Sequence, residues 1–448
     1  MKHFVQHIIL FLMILVVTGC QDDFLKEEII GEGRAMVSAT LDFKPMSSAL
    51  TRTRAAGDAL KNISSLHVLL YDYETKALKK SWKIEGYTVF DEGRTDADAE
   101  NGKGTAENTT KRATFKLPDE IDFGRYYMYA VANIPNLLTA YDGNIKTVDG
   151  LKSIPLTWNP DDITANSQMI GYFTNASGNS NDESLVVKEK SVKLHAWLRR
   201  AASKITVAFD ATKLKDGIRI HFKSIKIKHI PRTCYLGKDN TPGYTSATFE
   251  NRNEKSLIEE LHEDGEVYYY NGRPDAPDNE DFASWPFVSR GKLFYGLLPP
   301  GETALKSPSI ADYHTENTPA LYFYENLQGN EESRPGIKDK RQDSDDDGKL
   351  DAPGLPNDEG YVLKDNVEFG TYIEVEGYYD ARLSDRPGEG KIIYRFMLGQ
   401  DVKKDYNAKR NCHYKLTLRF NGYANDVDWH IEYKEDKQLI VPLSLIHI

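Results

Sequence analysis

Beyond residue 35, apolar positions recur at every second residue, the period expected of strands with one buried face. The stretch 36–43 sets Val37, Ala39, Leu41 and Phe43 on one side. Leu66, Val68 and Leu70 share a face of a second strand, and 114–117 predicts a third. The stretch 126–131 differs. Tyr127, Tyr129 and Val131 line one side, and Tyr126, Met128 and Ala130 the other. With both faces apolar or aromatic, this strand is expected to run centrally between two packed layers. Val192, Leu194, Ala196 and Leu198 resume the alternation, and Ile205, Val207 and Phe209 continue it. Between 218 and 230 the phase slips: Ile218, Ile220 and Phe222 are followed by Ile225 and Ile227. One face cannot hold both sets, so a bulge is expected near Lys223 and Ser224. Further strands are predicted at 294–298, 321–324, 371–379, 391–398, 413–420 and 428–433. Ile392, Tyr394, Phe396 and Leu398 point inward, as do Tyr414, Leu416, Leu418 and Phe420.

Amphipathic helical stretches are scarce. Short strands with Gly, Pro and Asn punctuation predict an all-β chain built from β-sandwiches. The polar stretch 174–184 (TNASGNSNDES) is expected to be a surface loop near a domain boundary. The charged segment 251–284, with Gly272, Pro274 and Pro277, reads as a long loop holding a short strand at 267–270. The expected division is a signal peptide at 1–19, an acidic tether at 20–34, and an N-terminal sandwich at 35–185. A C-terminal sandwich with long insertions follows at 186–435, and then a tail at 436–448. In that tail 439–443 (LIVPL) is strand-like, though Pro442 restricts it to an edge. The last residues, 444–448 (SLIHI), read as a translated adapter.

The N-terminus carries a separate signal. Lys2 and His3 precede the almost wholly apolar stretch 4–17. It is shorter than the roughly 20 residues of a spanning helix and fits the core of a secretory signal. It ends in Val17, Thr18, Gly19 and Cys20, the pattern of a lipobox. Small residues admit the backbone to the peptidase, and the Cys20 thiol accepts the lipid. The competing reading is an ordinary signal or anchor with an incidental Cys. Gln21, Asp22 and Asp23 follow, resembling the surface-export signal of Bacteroidetes-type lipoproteins. The expected location is the outer membrane, surface-exposed and held by lipid.

After removal of 1–19, which takes Lys2 with it, 56 basic residues face 68 acidic ones, a net charge of −12. That balance argues against a nucleic-acid partner, which needs a cationic surface. With 26 tyrosines the composition favours strands over helices. Of three cysteines, Cys234 and Cys412 remain after lipidation, and pairing or burial as free thiols both stay open.

One constellation suggests a metal. Asp343, Asp345, Asp347, Gly348 and Asp351 follow the pattern D-x-D-x-D-G-x-x-D. Alternate carboxylates at such spacing converge on calcium, and the glycine permits the turn. Gly354 stands where the bidentate acid should be, so a solvated acidic loop is the competing reading. Such a calcium would be structural. No H-E-x-x-H, G-x-S-x-G or P-loop occurs, and no enzymatic activity or other cofactor is expected. Tyr268, Tyr269 and Tyr270 could offer a sugar platform, but alternation sends part of that run to the core.

Several stretches resemble the fimbrillin superfamily, the type V pilus proteins of Bacteroidetes-type bacteria. The likeness is nearest to its large lipoprotein branch, a domain of unknown function. They are 62–72 (NISSLHVLLYD), 126–135 (YYMYAVANIP), Met169-Ile170-Gly171, 198–207 (LRRAASKITV), 322–329 (YFYENLQG), 410–418 (RNCHYKLTL) and 428–431 (DWHI). Together they span most of 35–435. The resemblance implies two tandem transthyretin-like antiparallel β-sandwiches. It also implies a role as subunit, anchor or tip of a fimbria-like assembly, with other fimbrial subunits as partners by strand donation. In polymerising members an Arg-specific protease removes the first strand. Arg34 lies just before the first strand here, and Arg52 and Arg54 lie in the Ser/Thr/Arg-rich joint after it. Solvated loop arginines in a permanently anchored protein are the competing reading. The alternative function is a monomeric surface lipoprotein that binds glycan or host protein.

Overall fold

The computed structural model describes residues 30–43, 63–92, 110–175, 183–241, 282–295, 320–333, 370–399, 404–424 and 426–435, with short pieces at 262–263, 265, 267–269, 297, 335 and 361–362. The chain is all-β.

The first half begins with β1 (Arg34–Phe43), β2 (Leu66–Asp72), β3 (Leu78–Lys83), β4 (Thr88–Glu92), β5 (Thr110–Lys116), β6 (Ile121–Asp122) and β7 (Gly124–Ala132). Two short helices follow, α1 (Leu137–Ala140) and α2 (Val148–Lys152). Thr147 caps α2, its hydroxyl accepting from the Gly150 N–H. Then come β8 (Pro155–Thr157), β9 (Met169–Asn175), β10 (Ser184–Val187), β11 (Ser191–Trp197) and β12 (Arg199–Arg200). The main sheet runs β3-β2-β7-β9-β11-β1-β5-β4. It wraps around one core that takes Val37, Leu41, Val68, Met128, Phe173 and Leu194. The edge strand β3 carries Lys79, Lys80 and Lys83, charges that discourage further pairing.

The second half opens with β13 (Ala202–Asp210), β14 (Arg219–Lys228), β15 (Ile230–Pro231) and β16 (Thr233–Tyr235). It continues through β17 (His262–Glu263), β18 (Val267–Tyr269), β19 (Phe287–Ser289), β20 (Leu293–Tyr295), β21 (Leu321–Tyr324), β22 (Asn326–Leu327) and β23 (Tyr361–Val362). The last strands are β24 (Tyr372–Asp380), β25 (Glu389–Met397), β26 (Asn407–Ala408), β27 (Cys412–Asn421) and β28 (Asp426–Glu435). One sheet runs β20-β13-β27-β28 and the other β18-β14-β24-β25-β23. Their facing sides share a core in which Phe209 stacks on Phe222 and Phe420. The register of β14 against β24 shifts between Phe222 and Ser224, the bulge that the phase slip predicts. It lets Ile220, Phe222, Ile225 and Ile227 all reach one core.

β7 divides its side chains as its two-sided pattern predicts. Met128 and Ala130 enter the first core, while Tyr129 and Val131 face the core shared with the second half. β10 and β11 stay with the first sheet, pairing with β7, and with β1 and β9. The sequence-drawn line at 185/186 therefore passes inside this sheet, and the chain crosses to the second half near 198–201.

On the outer side of β14, His221 is buried between the rings of Phe282 and Phe287, at 5.1 and 5.0 Å. Phe282 stacks on Tyr378, and Arg382 lies over Phe282. Burial, with help from Arg219, holds the His221 pKa below its ordinary 6.5 against the opposing pull of Asp380. The unfolded chain therefore binds more protons as pH falls below 6.5. The His221 contribution to stability is complete above that value and is lost progressively below it. His221→Phe is expected to flatten the decline in melting temperature between about pH 7 and 5 relative to the parent. Parallel pH–melting curves for the two proteins would exclude this role.

Candidate functional site

The first candidate site is the slot that β1 fills. β1 pairs in parallel with β11, from Met36 against Ser191 to Asp42 against Trp197. On its other side it pairs antiparallel with β5, from Ser38 against Lys116 to Phe43 against Lys111. Ala35, Val37, Ala39 and Leu41 point into the core and are buried. Below them the rings of Phe115 and Phe173 meet edge to face. Met36, on the opposite face, is 43% exposed. β1 is thus a central strand with both edges used, yet every other strand of its sheet follows it in the chain. A cut between 44 and 62 would detach it without breaking any other strand pairing among the described residues.

Arg34 belongs to β1 itself. It is exposed and ion-pairs with the exposed Asp122 at 3.0 Å, a contact worth little in water. Cutting after Arg34 would leave Ala35 to Leu41 in place, whereas cutting after Arg52 or Arg54 would release the whole strand. Arg52, Arg54, Cys20 and the aspartates 343, 345, 347 and 351 lie outside the described residues. Among the described residues no cluster of three or more His, Cys, Asp or Glu side chains could hold a metal. Nor is any helix there long and apolar enough to cross a membrane.

The second notable site is a clamp between the halves. β16 pairs antiparallel with β8 of the first half, and the Leu236 N–H donates to the Ile154 carbonyl. Trp158 meets Tyr324 edge to face at 4.9 Å, and the Tyr324 hydroxyl donates to Gln168 Oε1. Beneath this seam, Arg410 and Glu325 form a buried ion pair at 2.6 Å. The Arg410 guanidinium also donates to the carbonyls of Tyr235, Leu236 and Lys238. Glu325 accepts from the backbone N–H groups of Asn240 and Arg410. Every arm of the guanidinium is used, which is what makes a charge tolerable inside a protein.

Neither Cys234 nor Cys412 is in a disulfide; both are buried against Arg410, the Cys234 sulfur at its guanidinium and the Cys412 thiol on its carbonyl. Burial pushes the Cys234 thiol up to about 12, so little thiolate is available to oxidise. The clamp was not foreseen from the sequence. The one hint was Glu325, which follows the apolar run Leu321 to Tyr324; Arg410 opens a stretch of alternating polar and apolar residues and gave no sign.

Residues 321–418 match the family model described as a domain of unknown function (DUF4906), in agreement with the resemblance read from the sequence. The match covers β21 through most of β27, under a quarter of the chain, and includes both Glu325 and Arg410. No curated protein matches the chain. Among solved structures, the chain is similar to the tip fimbrial protein Mfa3 from Porphyromonas gingivalis at 10% identity, over 89% of this chain and 99% of that one, with a TM-score of 0.43. It is also similar to a fimbrial assembly protein from Parabacteroides distasonis at 12% identity, over 91% and 100%, with a TM-score of 0.37. A fimbrilin from Porphyromonas gingivalis is similar at 13% identity, over 86% and 90%, with a TM-score of 0.34.

Proposed function

We propose that this chain is made as a cell-surface lipoprotein, tethered through Cys20 until a cut in 44–62 releases β1, and that it serves as a structural or adhesive component of a fimbria-like assembly joined by β-strand exchange. The observation that carries this reading is the place of β1. It is first in its sheet by sequence and central by topology, and an arginine-bearing segment follows it. Its loss would open an apolar groove with unpaired edges on β11 and β5. A strand from another subunit, entering in the same orientation, would satisfy both edges and fill alternate side-chain positions. The function is binding and display, and involves no chemistry on a substrate.

Mass spectrometry of the mature N-terminus in the surface fraction of intact cells tests this. A start after Arg52 or Arg54 is expected for a subunit that accepts a strand. A lipidated start at Cys20 on all of the protein would remove strand acceptance and leave an anchor.

A further inference from the structure

The inward residues of β1 alternate in size, and their neighbours alternate out of step with them. Ala39 lies between Phe115 on β5 and Leu194 on β11. Two residues further on the order inverts, and Leu41 stands between Ala113 and Ala196. Ala35 faces Ile121 of β6. Val37, of intermediate size, stands beside Val192, and its carbonyl accepts from the Leu117 N–H. All of these side chains belong to the first core. Side chains paired in this way on one face have Cβ atoms about 5 Å apart. A large residue therefore leaves room only for a small one beside it.

Two rings close the small places. Phe115 stands on β5 and Phe173 on β9, with β1 and β11 between them. That is three strand spacings, roughly 14 Å along the sheet, yet the ring centroids are 6.4 Å apart. The diagonal joining the two residues crosses Ala39 and Ala196, whose methyl groups leave the space that the rings take. A longer side chain at 39 would enter that space. β13 holds the corresponding place in the second half, parallel to β27 and antiparallel to β20 and β21. There Ile205, Val207 and Phe209 lie beside Tyr414, Leu416 and Leu418, large against large. The size alternation is thus a feature of β1 and is not required of a central strand.

We propose that the β1 slot selects its incoming strand by side-chain size as well as by apolar alternation. Its partner is an extended segment of another subunit, running parallel to β11, with the pattern small-x-Val-x-small-x-Leu. The places of Ala35, Val37, Ala39 and Leu41 are the ones read, and the outward places of Met36, Ser38 and Thr40 are not. This rests on strand acceptance and adds to it a rule for partner and register. Alternation alone admits a strand that has slipped by two residues, since the buried face is unchanged. Size removes that freedom. A slip of two sets Val37 between Phe115 and Leu194 and leaves Ala39 between two alanines, one place overfilled and the next hollow.

The test is digestion of the full-length chain with an Arg-specific protease in the presence of synthetic peptides. Retained peptide is read by native mass spectrometry and by competition with labelled 34–43 (RAMVSATLDF). The deciding peptide exchanges two residues, Ala39→Leu with Leu41→Ala. It keeps the composition, the alternation and the apolar content of the parent peptide and changes only the order of sizes. It is expected to bind about a hundredfold or more weaker than the parent peptide. A Ser38→Leu peptide, altered at an outward place, should bind like the parent. An exchanged peptide that binds as tightly as the parent overturns the size rule and leaves strand acceptance standing. If not even the parent peptide is retained, strand acceptance falls and the size rule falls with it.

Discussion

Arg410→Ala is expected to cost about 3–5 kcal/mol of stability, the penalty for stranding one member of a buried ion pair. The loss has three parts. Glu325 stays buried, with only the backbone N–H groups of Asn240 and Arg410 to answer its charge. The carbonyls of Tyr235, Leu236 and Lys238 lose their guanidinium donor. A cavity opens beside the Cys234 sulfur. Because β16 is stitched to β8, the damage does not stay in the second half. Tyr129 and Val131 of the first half share a core with Tyr324 and Tyr414 of the second. For a cooperative unit of about 300 residues such a loss lowers the melting temperature by roughly 6 °C. A single shifted transition is expected in calorimetry, with no separate unfolding of either half. The double variant Arg410→Met/Glu325→Leu, which removes both charges and keeps volume, should recover much of the loss. Two transitions, or a single variant as stable as its parent, would show that the clamp does not join the halves.

Legibility in the sequence followed the physics of each feature. Alternation is local, so β1, β2, β13, β24, β25 and β27 were visible as strands, with inward residues for β1, β13, β25 and β27; for β2 it gave the face of Leu66, Val68 and Leu70 but missed Leu69 and Tyr71, which are buried on the other side. The two-sided stretch around Met128 announced a strand between layers, because no single core could bury both of its faces. The slip at Lys223 announced a bulge for the same kind of reason. The short helices α1 and α2 and the pairing of β8 with β16 gave no such sign. A strand of three residues has no period to read, and its partner lies more than seventy residues away. The Arg410–Glu325 pair was hidden by the same distance, since charge in a strand normally means a solvated face. The parallel partnership of β1 with β11 was likewise unreadable. Side-chain pattern specifies which face is buried, and says nothing of which strand lies alongside. The candidate slot was thus half legible. The strand and the flanking arginines could be named from sequence, whereas only the topology shows that cutting at Arg34 and cutting at Arg54 have opposite consequences.

Those consequences give the second large effect. Limited digestion of the native chain with an Arg-specific protease is expected to convert a strand-complete protein into one that captures strands. The peptide released by a cut after Arg54 would carry Val37 and Leu41 out of the core. Each such side chain is worth about 1.5–3 kcal/mol when buried, and the edges of β11 and β5 are left unpaired as well. A groove of that kind does not stay empty in water, so the cut protein is expected to form oligomers that resist dissociation. A synthetic peptide of 34–43 (RAMVSATLDF) should block them by refilling the slot in its original register. The same peptide with Val37→Asp and Leu41→Asp should not, because it brings charge to two apolar positions. Arg52→Ala/Arg54→Ala should resist conversion, whereas Arg34→Ala should be cut and assemble like the parent, its only described ion pair being a solvent-exposed one with Asp122. Cut protein that has lost its 34–43 peptide and remains monomeric would sink strand exchange. It would leave the chain a tethered display protein whose first strand is a fixed part of its fold.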